Sequence, residues 1–244
     1  MIFLLILFGN VWIWKMLSFN IFIGSLVILV SAVSFVTYKN NHKTIGLAVL
    51  MFTLVLVQIK TTNVKSLVAL SETQKIQSIQ RMSEYPPVYV HLFGKTVWIP
   101  AARWFEQRHE YRIITRLGNN FSEVIDPNLY FIASHPRETD SIESFEKFPF
   151  IALPLFALGL VGLIKGKNFM LLVVLGILPL VVSILVGTRN PVGPISLFPL
   201  FWLAIYIGAD KIYTRFATKK PKVMVGLVVL YILVFVQTII YALN

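Results

Sequence analysis

Residues 148–187 read FPFIALPLFALGLVGLIKGKNFMLLVVLGILPLVVSILVG. Two apolar runs flank a tight basic turn, Lys165-Gly166-Lys167, and neither run holds an acidic residue. At 1.5 Å rise per residue, a helix of about 20 residues crosses the ~30 Å hydrocarbon core of a bilayer, and about 17 suffice when flanking side chains snorkel. The stretches 148–164 and 169–187 therefore predict a pair of membrane-crossing helices. Similar runs occur at 17–37, 44–59, 195–207 and 223–243. The run at 195–207 reaches span length only with Pro194 and Gly208–Asp210. The stretch 1–14 is the weakest: it reads as a truncated span, or as a signal-like segment lacking a basic leader and a clear cleavage site. The expected fold class is an all-α polytopic membrane protein of six to seven transmembrane helices, with one mainly helical extracytoplasmic domain.

Composition agrees. Of 244 residues, 57% are hydrophobic and 14% charged, and the mean hydropathy is +0.75. A soluble domain carries roughly a quarter charged residues, so a soluble enzyme, a nucleic-acid-binding domain and a disordered chain are excluded. Cysteine is absent, which excludes disulfides, thiolate metal sites and a catalytic thiol. Of the 22 basic and 11 acidic residues, eleven and ten respectively lie between Lys60 and Lys147. The rest of the chain is basic, with Asp210 its one acid.

That asymmetry orients the chain. Lys39 and Lys43, Lys165 and Lys167, and Lys211, Arg215, Lys219, Lys220 and Lys222 form three clusters between apolar stretches. Placed together on the cytoplasmic side, they let spans two to seven alternate without conflict. The expected organisation is then N-terminal transmembrane helices over 1–59, an extracytoplasmic domain over 60–147, and C-terminal transmembrane helices over 148–244. Within the outer segment, Asn63 or Ser66 can cap a helix running toward Arg81, which Tyr85-Pro86-Pro87 breaks. Pro100 can open a second helix carrying Trp104, Tyr111, Ile114, Leu117 and Phe121, with Gly118-Asn119-Asn120 as its end or kink. Turns are expected at Asp126-Pro127-Asn128 and Ser134-His135-Pro136.

Arg189 is the most informative polar residue. It sits in Gly187-Thr-Arg-Asn-Pro-Val-Gly-Pro194, between two spans, where a guanidinium can donate paired hydrogen bonds to a phosphate. An interfacial arginine snorkelling to headgroups gives the same pattern. Arg108, Arg112 and Arg116 recur every four residues along about 12 Å of one helix face. They suit an anionic headgroup, or equally a solvated face paired with Glu106 and Glu110. His135 and Arg137 flank Pro136 near Glu138 and Asp140. His42, His91, His109 and His135 are too scattered for metal-ligand spacing, so no metal and no cofactor is expected. No acid lies inside an expected span, which argues against a proton-coupled transporter.

From Leu67 onward the chain resembles the C-terminal half of the GT-C glycosyltransferases, the protein mannosyltransferase and aminoarabinose transferase group. Four blocks carry the resemblance in order. They are Ser71-Glu-Thr-Gln-Lys-Ile-Gln-Ser-Ile-Gln-Arg81; Val90-His-Leu-Phe-Gly-Lys95; Arg116-Leu-Gly-Asn-Asn-Phe-Ser122 leading to Asp126-Pro-Asn-Leu-Tyr-Phe131; and the later spans, with Arg189 ahead of Leu197-Phe-Pro-Leu-Phe201. The resemblance implies an integral protein of a prokaryotic plasma membrane that binds a polyprenyl-phosphate-linked sugar. Arg189 is then the carrier-phosphate ligand, and His135 and Arg137 are its neighbours. The family's catalytic base is an acid in the first outer loop, whereas here no Asp or Glu precedes Glu72. The catalytic residues are therefore unassigned. Relatives also usually have many more spans, so the chain reads as a fragment, a degenerate relative, or a split enzyme's subunit whose membrane partner supplies the catalytic half. The alternative class is a non-catalytic membrane scaffold or transporter subunit.

Overall fold

The computed structural model describes residues 2–40, 44–62, 76–77, 79–80, 88–99, 109–132, 145–166, 169–187, 192–216 and 221–243. It divides into two units, Met1–Asn63 with Glu123–Asn244, and Val64–Ser122.

In the first unit every apolar stretch forms helix. The N-terminal stretch is a broken pair, α1 (Ile2–Phe8) and α2 (Val11–Phe19), bent by 56°. After it come α3 (Ile21–Asn40) and α4 (Ile45–Thr61). Helix α5 (His109–Ile125) enters this unit with its last turn and is followed by the short α6 (Asn128–Phe131) and by α7 (Ala152–Lys165). One segment then runs through α8 (Phe169–Leu172), a π turn (Val173–Ile177) and α9 (Leu178–Val186). A 3-10 turn (Ile195–Leu197) leads into α10 (Phe198–Phe216), and α11 (Pro221–Leu243) closes the chain. Among the described residues three helices are long and apolar enough to cross a membrane, Ile21–Asn40, Phe169–Val186 and Ile195–Phe216, and the α1–α2 pair makes a fourth if it is one bent span. Ile45–Thr61 and Ala152–Lys165 are apolar but shorter, and α11 runs through its whole apolar stretch as 23 residues of helix. Of the six to seven expected spans, three or four are thus shown by length and composition among the described residues.

Glycine sets the tightest packing. A Cβ on Gly159 would collide with the Ala204 carbonyl, and one on Gly208 with the Leu155 carbonyl, so α7 and α10 touch backbone to backbone. Small residues one turn apart permit such an approach between membrane helices. The π turn lies one turn ahead of Pro179, whose ring excludes the carbonyl four residues earlier and which has no amide to donate; a wider turn absorbs both defects.

Neighbouring contacts fix the helix directions. Gly162 of α7 lies beside Lys211 of α10, and the Phe35 ring of α3 is 5.0 Å from that of Tyr206. The helix ends bearing Lys39, Lys165 and Arg215 therefore share one end of the bundle, the grouping that the charge pattern suggested. At the opposite end Phe148, before α7, stacks on Phe198 at 5.5 Å, while Gln58 of α4 meets Ser183 of α9.

In the second unit a hairpin, β1 (Val88–Leu92) and β2 (Lys95–Ile99), pairs antiparallel in the register Val88↔Ile99 to Leu92↔Lys95. The mainly helical reading did not anticipate it. Its two-residue loop has positive φ at Phe93 (50°) and Gly94 (76°), the twist that matches a two-residue hairpin. Ile76, Gln77, Ile79 and Gln80 are helical, as expected there. Helix α5 runs through Gly118-Asn119-Asn120 without the expected end or kink. Pro100 lies outside the described residues.

Candidate functional site

The site grows from the break at Gly9-Asn10. Asn10 is fully buried, and its Nδ2 donates to the carbonyls of Ile6 (2.9 Å) and Leu7 (2.8 Å) at the end of α1. Its Oδ1 accepts from the Ile13 amide (2.9 Å) at the start of α2. One side chain thus serves the orphan groups of two helix ends. The Gly9 carbonyl accepts from Tyr231 Oη at 2.8 Å, and a Cβ on Gly9 would meet the Leu5 carbonyl.

The bend carries Trp12 into the interior. Its ring is fully buried, 5.4 Å from Phe198 and 5.7 Å from both Phe148 and Tyr130. Its backbone amide donates to the Lys147 carbonyl (3.2 Å), and its indole N–H donates to the Val192 carbonyl. A third link, from the Phe148 amide to the Tyr130 carbonyl (2.9 Å), brings together the two ends of the excursion between α6 and α7. Trp12 therefore joins the roots of two loops that lie far apart in the sequence.

Lys147 sits at that junction and is 5% exposed. Its Nζ donates to the Leu129 carbonyl at 2.8 Å and lies 4.9 Å from the Phe145 ring centroid, 5.9 Å from Trp12 and 6.0 Å from Tyr130. A buried ammonium is costly unless dipoles replace its water, and one carbonyl and three aromatic faces supply part of that compensation. Gly193 is required alongside. Its φ is 74°, and a Cβ would stand 2.8 Å from Lys147 Cε. Gly187, on the other side of residues 188–191 in the sequence, also has a positive φ (85°). The space beside Gly193 is taken by the chain's own lysine.

Two neighbours are tuned by burial. The Tyr130 phenol donates to the Val124 carbonyl (2.8 Å), and burial, with Asp126 adding to it, pushes its pKa up, so it stays a donor. Glu146 is half-buried, which raises its carboxyl pKa. Its Oε1 accepts from the Phe150 amide (2.6 Å), and with the Thr238 hydroxyl this contact lowers the pKa and partly offsets the rise. A second polar clamp lies at the same end: Gln58 Nε2 donates to Ser183 Oγ (3.0 Å), and Gln58 Oε1 accepts from the Ser196 amide (2.8 Å).

Arg189, His135 and Arg137 lie outside the described residues. What the structure brings together is the described flanks of the loops that carry them, Ile132 and Phe145 for one and Gly187 and Val192 for the other. Arg112 and Arg116 are half-buried on α5, and Arg108 lies outside the described residues. Sequence reasoning missed Lys147, Trp12 and Gln58. The available signal was the lysine of Phe145-Glu146-Lys147-Phe148 at the mouth of an apolar run; it reads as an interfacial charge until the fold buries it. Among the described residues no three His, Asp or Glu side chains group as a metal site. Comparison with protein-family models, with curated proteins and with solved structures finds no match to this chain.

Proposed function

We propose that the chain is an integral membrane protein of glycosyltransferase-like organisation that binds a polyprenyl-phosphate-linked sugar at the end of the bundle opposite its basic helix ends. That end is the extracytoplasmic one if the positive clusters face the cytoplasm. The observation that supports the reading is the double hydrogen bond of Trp12 to the carbonyls of Lys147 and Val192, which links the described flanks of the two loops that carry Arg189 and His135–Arg137 in the sequence. Arg189 supplies a bidentate contact to the carrier phosphate, and Lys147 adds charge from a region of low dielectric, where attraction to an anion exceeds that in water. His135 and Arg137 are the neighbouring ligands.

The test is polyprenyl phosphate binding by the full chain in nanodiscs. Arg189→Ala should weaken binding roughly ten- to a hundredfold, the loss of a charge-assisted hydrogen bond of about 1.5–3 kcal/mol. Arg189→Lys keeps the charge without the planar fork and should fall between. Arg215→Ala, at the basic end, controls for lost charge. Equal affinity of wild type and Arg189→Ala would refute the site. Because the first acid of the chain is Glu72, a non-catalytic scaffold or transporter subunit is the rival. Sugar transfer by the purified chain would exclude that rival; binding without transfer fits a subunit whose membrane partner brings the base.

A further inference from the structure

The basic end of the bundle carries charge that the chain itself never balances. Lys39 ends α3, Lys165 ends α7, and Lys211 and Arg215 lie in the last two turns of α10. Thr238 of α11 meets Glu146, which is close to Phe148 at the opposite end, and Lys222 precedes Thr238 by about 24 Å of helix. The first turn of α11 therefore belongs to the basic end as well. All five basic side chains are exposed, and among the described residues none has a carboxylate within ion-pair distance. The links that follow α3, α7 and α10 in the sequence add Lys43, Lys167, Lys219 and Lys220 and no acid. Asp210 is the single acid of these helices and links, against nine cations. Two of the cations are also crowded. Lys211 Nζ lies against Gly162, whose missing side chain admits it, and Lys165 follows Gly162 by about 4.5 Å of helix. The negative end of α7 attracts both, but a helix end carries only about half a charge. Two ammonium groups at the last turn of one helix repel each other unless an anion from outside the chain stands between them.

We propose that this end is a binding surface for anionic phospholipids, whose phosphate diesters supply the missing counter-charge, with Lys165 and Lys211 at its centre. The position of the charge selects lipid over a soluble anion. The segments Ile21–Asn40 and Ile195–Phe216 are long enough to span a bilayer, so their basic ends stand at the depth of the headgroups. Tyr213, between Lys211 and Arg215, is 46% exposed, an aromatic of the kind that marks a membrane–water boundary. Clusters of roughly four to eight Lys and Arg beside a membrane helix attract acidic headgroups in this way. The same charges orient a chain during insertion, but orientation requires no lipid preference of the folded protein. The crowding of Lys165 and Lys211 at the end of α7 is what adds one.

The test uses the full chain in phosphatidylcholine vesicles without polyprenyl phosphate. Trace phosphatidylglycerol or phosphatidylcholine, spin-labelled deep in one acyl chain, is added, and the fraction immobilised at the protein gives the relative association of the two lipids. Phosphatidylglycerol should be favoured severalfold at low salt, and the preference should shrink toward none near ~1 M salt, where the screening length is about 3 Å. Joint replacement Lys165→Gln and Lys211→Gln should remove most of the preference, whereas Lys165→Arg with Lys211→Arg should keep it. Lys60→Gln, at the end of α4 that lies opposite, should leave it unchanged. Equal association of the two lipids with the wild-type chain would overturn the proposal. An equal loss with Lys60→Gln would also overturn it, since the preference would then follow total charge. Stronger displacement by inorganic phosphate than by chloride at equal ionic strength would assign the surface to a soluble anion and overturn it too. Should the glutamine pair fail to fold, the wild-type lipid comparison and its salt dependence still decide.

Discussion

Replacing Trp12 with phenylalanine isolates the hydrogen bond on which the site depends. Phenylalanine keeps an aromatic ring against Phe148, Phe198 and Tyr130 but removes the indole N–H, leaving the Val192 carbonyl without that donor. A buried acceptor stripped of its donor costs about 1–3 kcal/mol in soluble proteins, while hydrogen bonds between membrane segments average about 0.6 and reach about 1.7. Trp12 is fully buried, so the smaller ring also leaves a void lined by Phe198 and Phe201, which adds to the cost. The expected total is about 1–3 kcal/mol. Trp14 provides the control. Its indole donates to the Phe8 carbonyl at 2.8 Å, but the residue is 50% exposed and other donors can replace the bond. Trp14→Phe should change stability by less than about 0.5 kcal/mol, as surface substitutions usually do. Equilibrium unfolding of both variants in the same bicelles gives the comparison. Equal destabilisation by the two would show that the Trp12 N–H does not hold Val192 to the bundle, and the junction at Trp12 would fail as a basis for the site.

Three further outcomes test the packing, the electrostatics and the orientation. Gly159→Ala should destabilise by about 1–3 kcal/mol through overpacking against the Ala204 carbonyl, although alanine is the better helix former by about 1 kcal/mol. Gly118→Ala, with open space at its Cβ, should be neutral or stabilise by up to about 1 kcal/mol, so a reversed ranking in thermal unfolding would contradict the packing. The raised pKa of Glu146 means the folded state holds the proton more tightly than the unfolded chain. Its contribution is therefore full below the ordinary value of 4.5 and declines as pH rises through the raised one. Glu146→Gln should flatten that decline, and an unchanged slope in pH-dependent unfolding would remove the residue from the account. For orientation, a cysteine at Phe93, on the hairpin tip, should react with an impermeant reagent outside intact cells, and one at Lys222 should not; labelling of both, or the reverse, would break the assignment.

The apolar runs were legible because a bilayer imposes one requirement, length at constant apolarity, that composition displays directly. The directions of the helices were legible for a related reason: Lys39, Lys165 and Arg215 end their helices at one end of the bundle. The hairpin was less so. Val88, Val90, Val97, Trp98 and Ile99 are β-formers, yet the turn between the strands is Phe93-Gly94 in place of the Asn-Gly or Asp-Gly that normally announces it. Lys147 and Gln58 were not legible, since a polar residue at the end of an apolar run looks alike whether it meets water or a partner. Lys147 lies eighteen positions from its acceptor Leu129, and Gln58 lies 125 from Ser183. Pairings at such separations are set by how helices alternate, which no local pattern encodes.

The buried polar residues also divide along the bundle in a way that bears on function. On α3, Ser31, Ser34 and Thr37 donate to carbonyls of their own helix three or four residues back, at 2.7–2.8 Å, so they are satisfied locally and link nothing. The α7–α10 contact is made through glycine and backbone. The long-range polar links made by Trp12, Gln58, Lys147 and Tyr231 instead gather around the N-terminal break and the end opposite the basic cluster. In hydrocarbon such links add little stability, about 0.6 kcal/mol each on average, and each buries groups that apolar packing would replace at no loss. Their concentration at one end is therefore poorly explained by stability alone. It fits the proposed anion site, for which the described flanks of the two loops, Tyr130 and Phe148 for one and Val192 for the other, are linked to each other through Trp12 and Lys147.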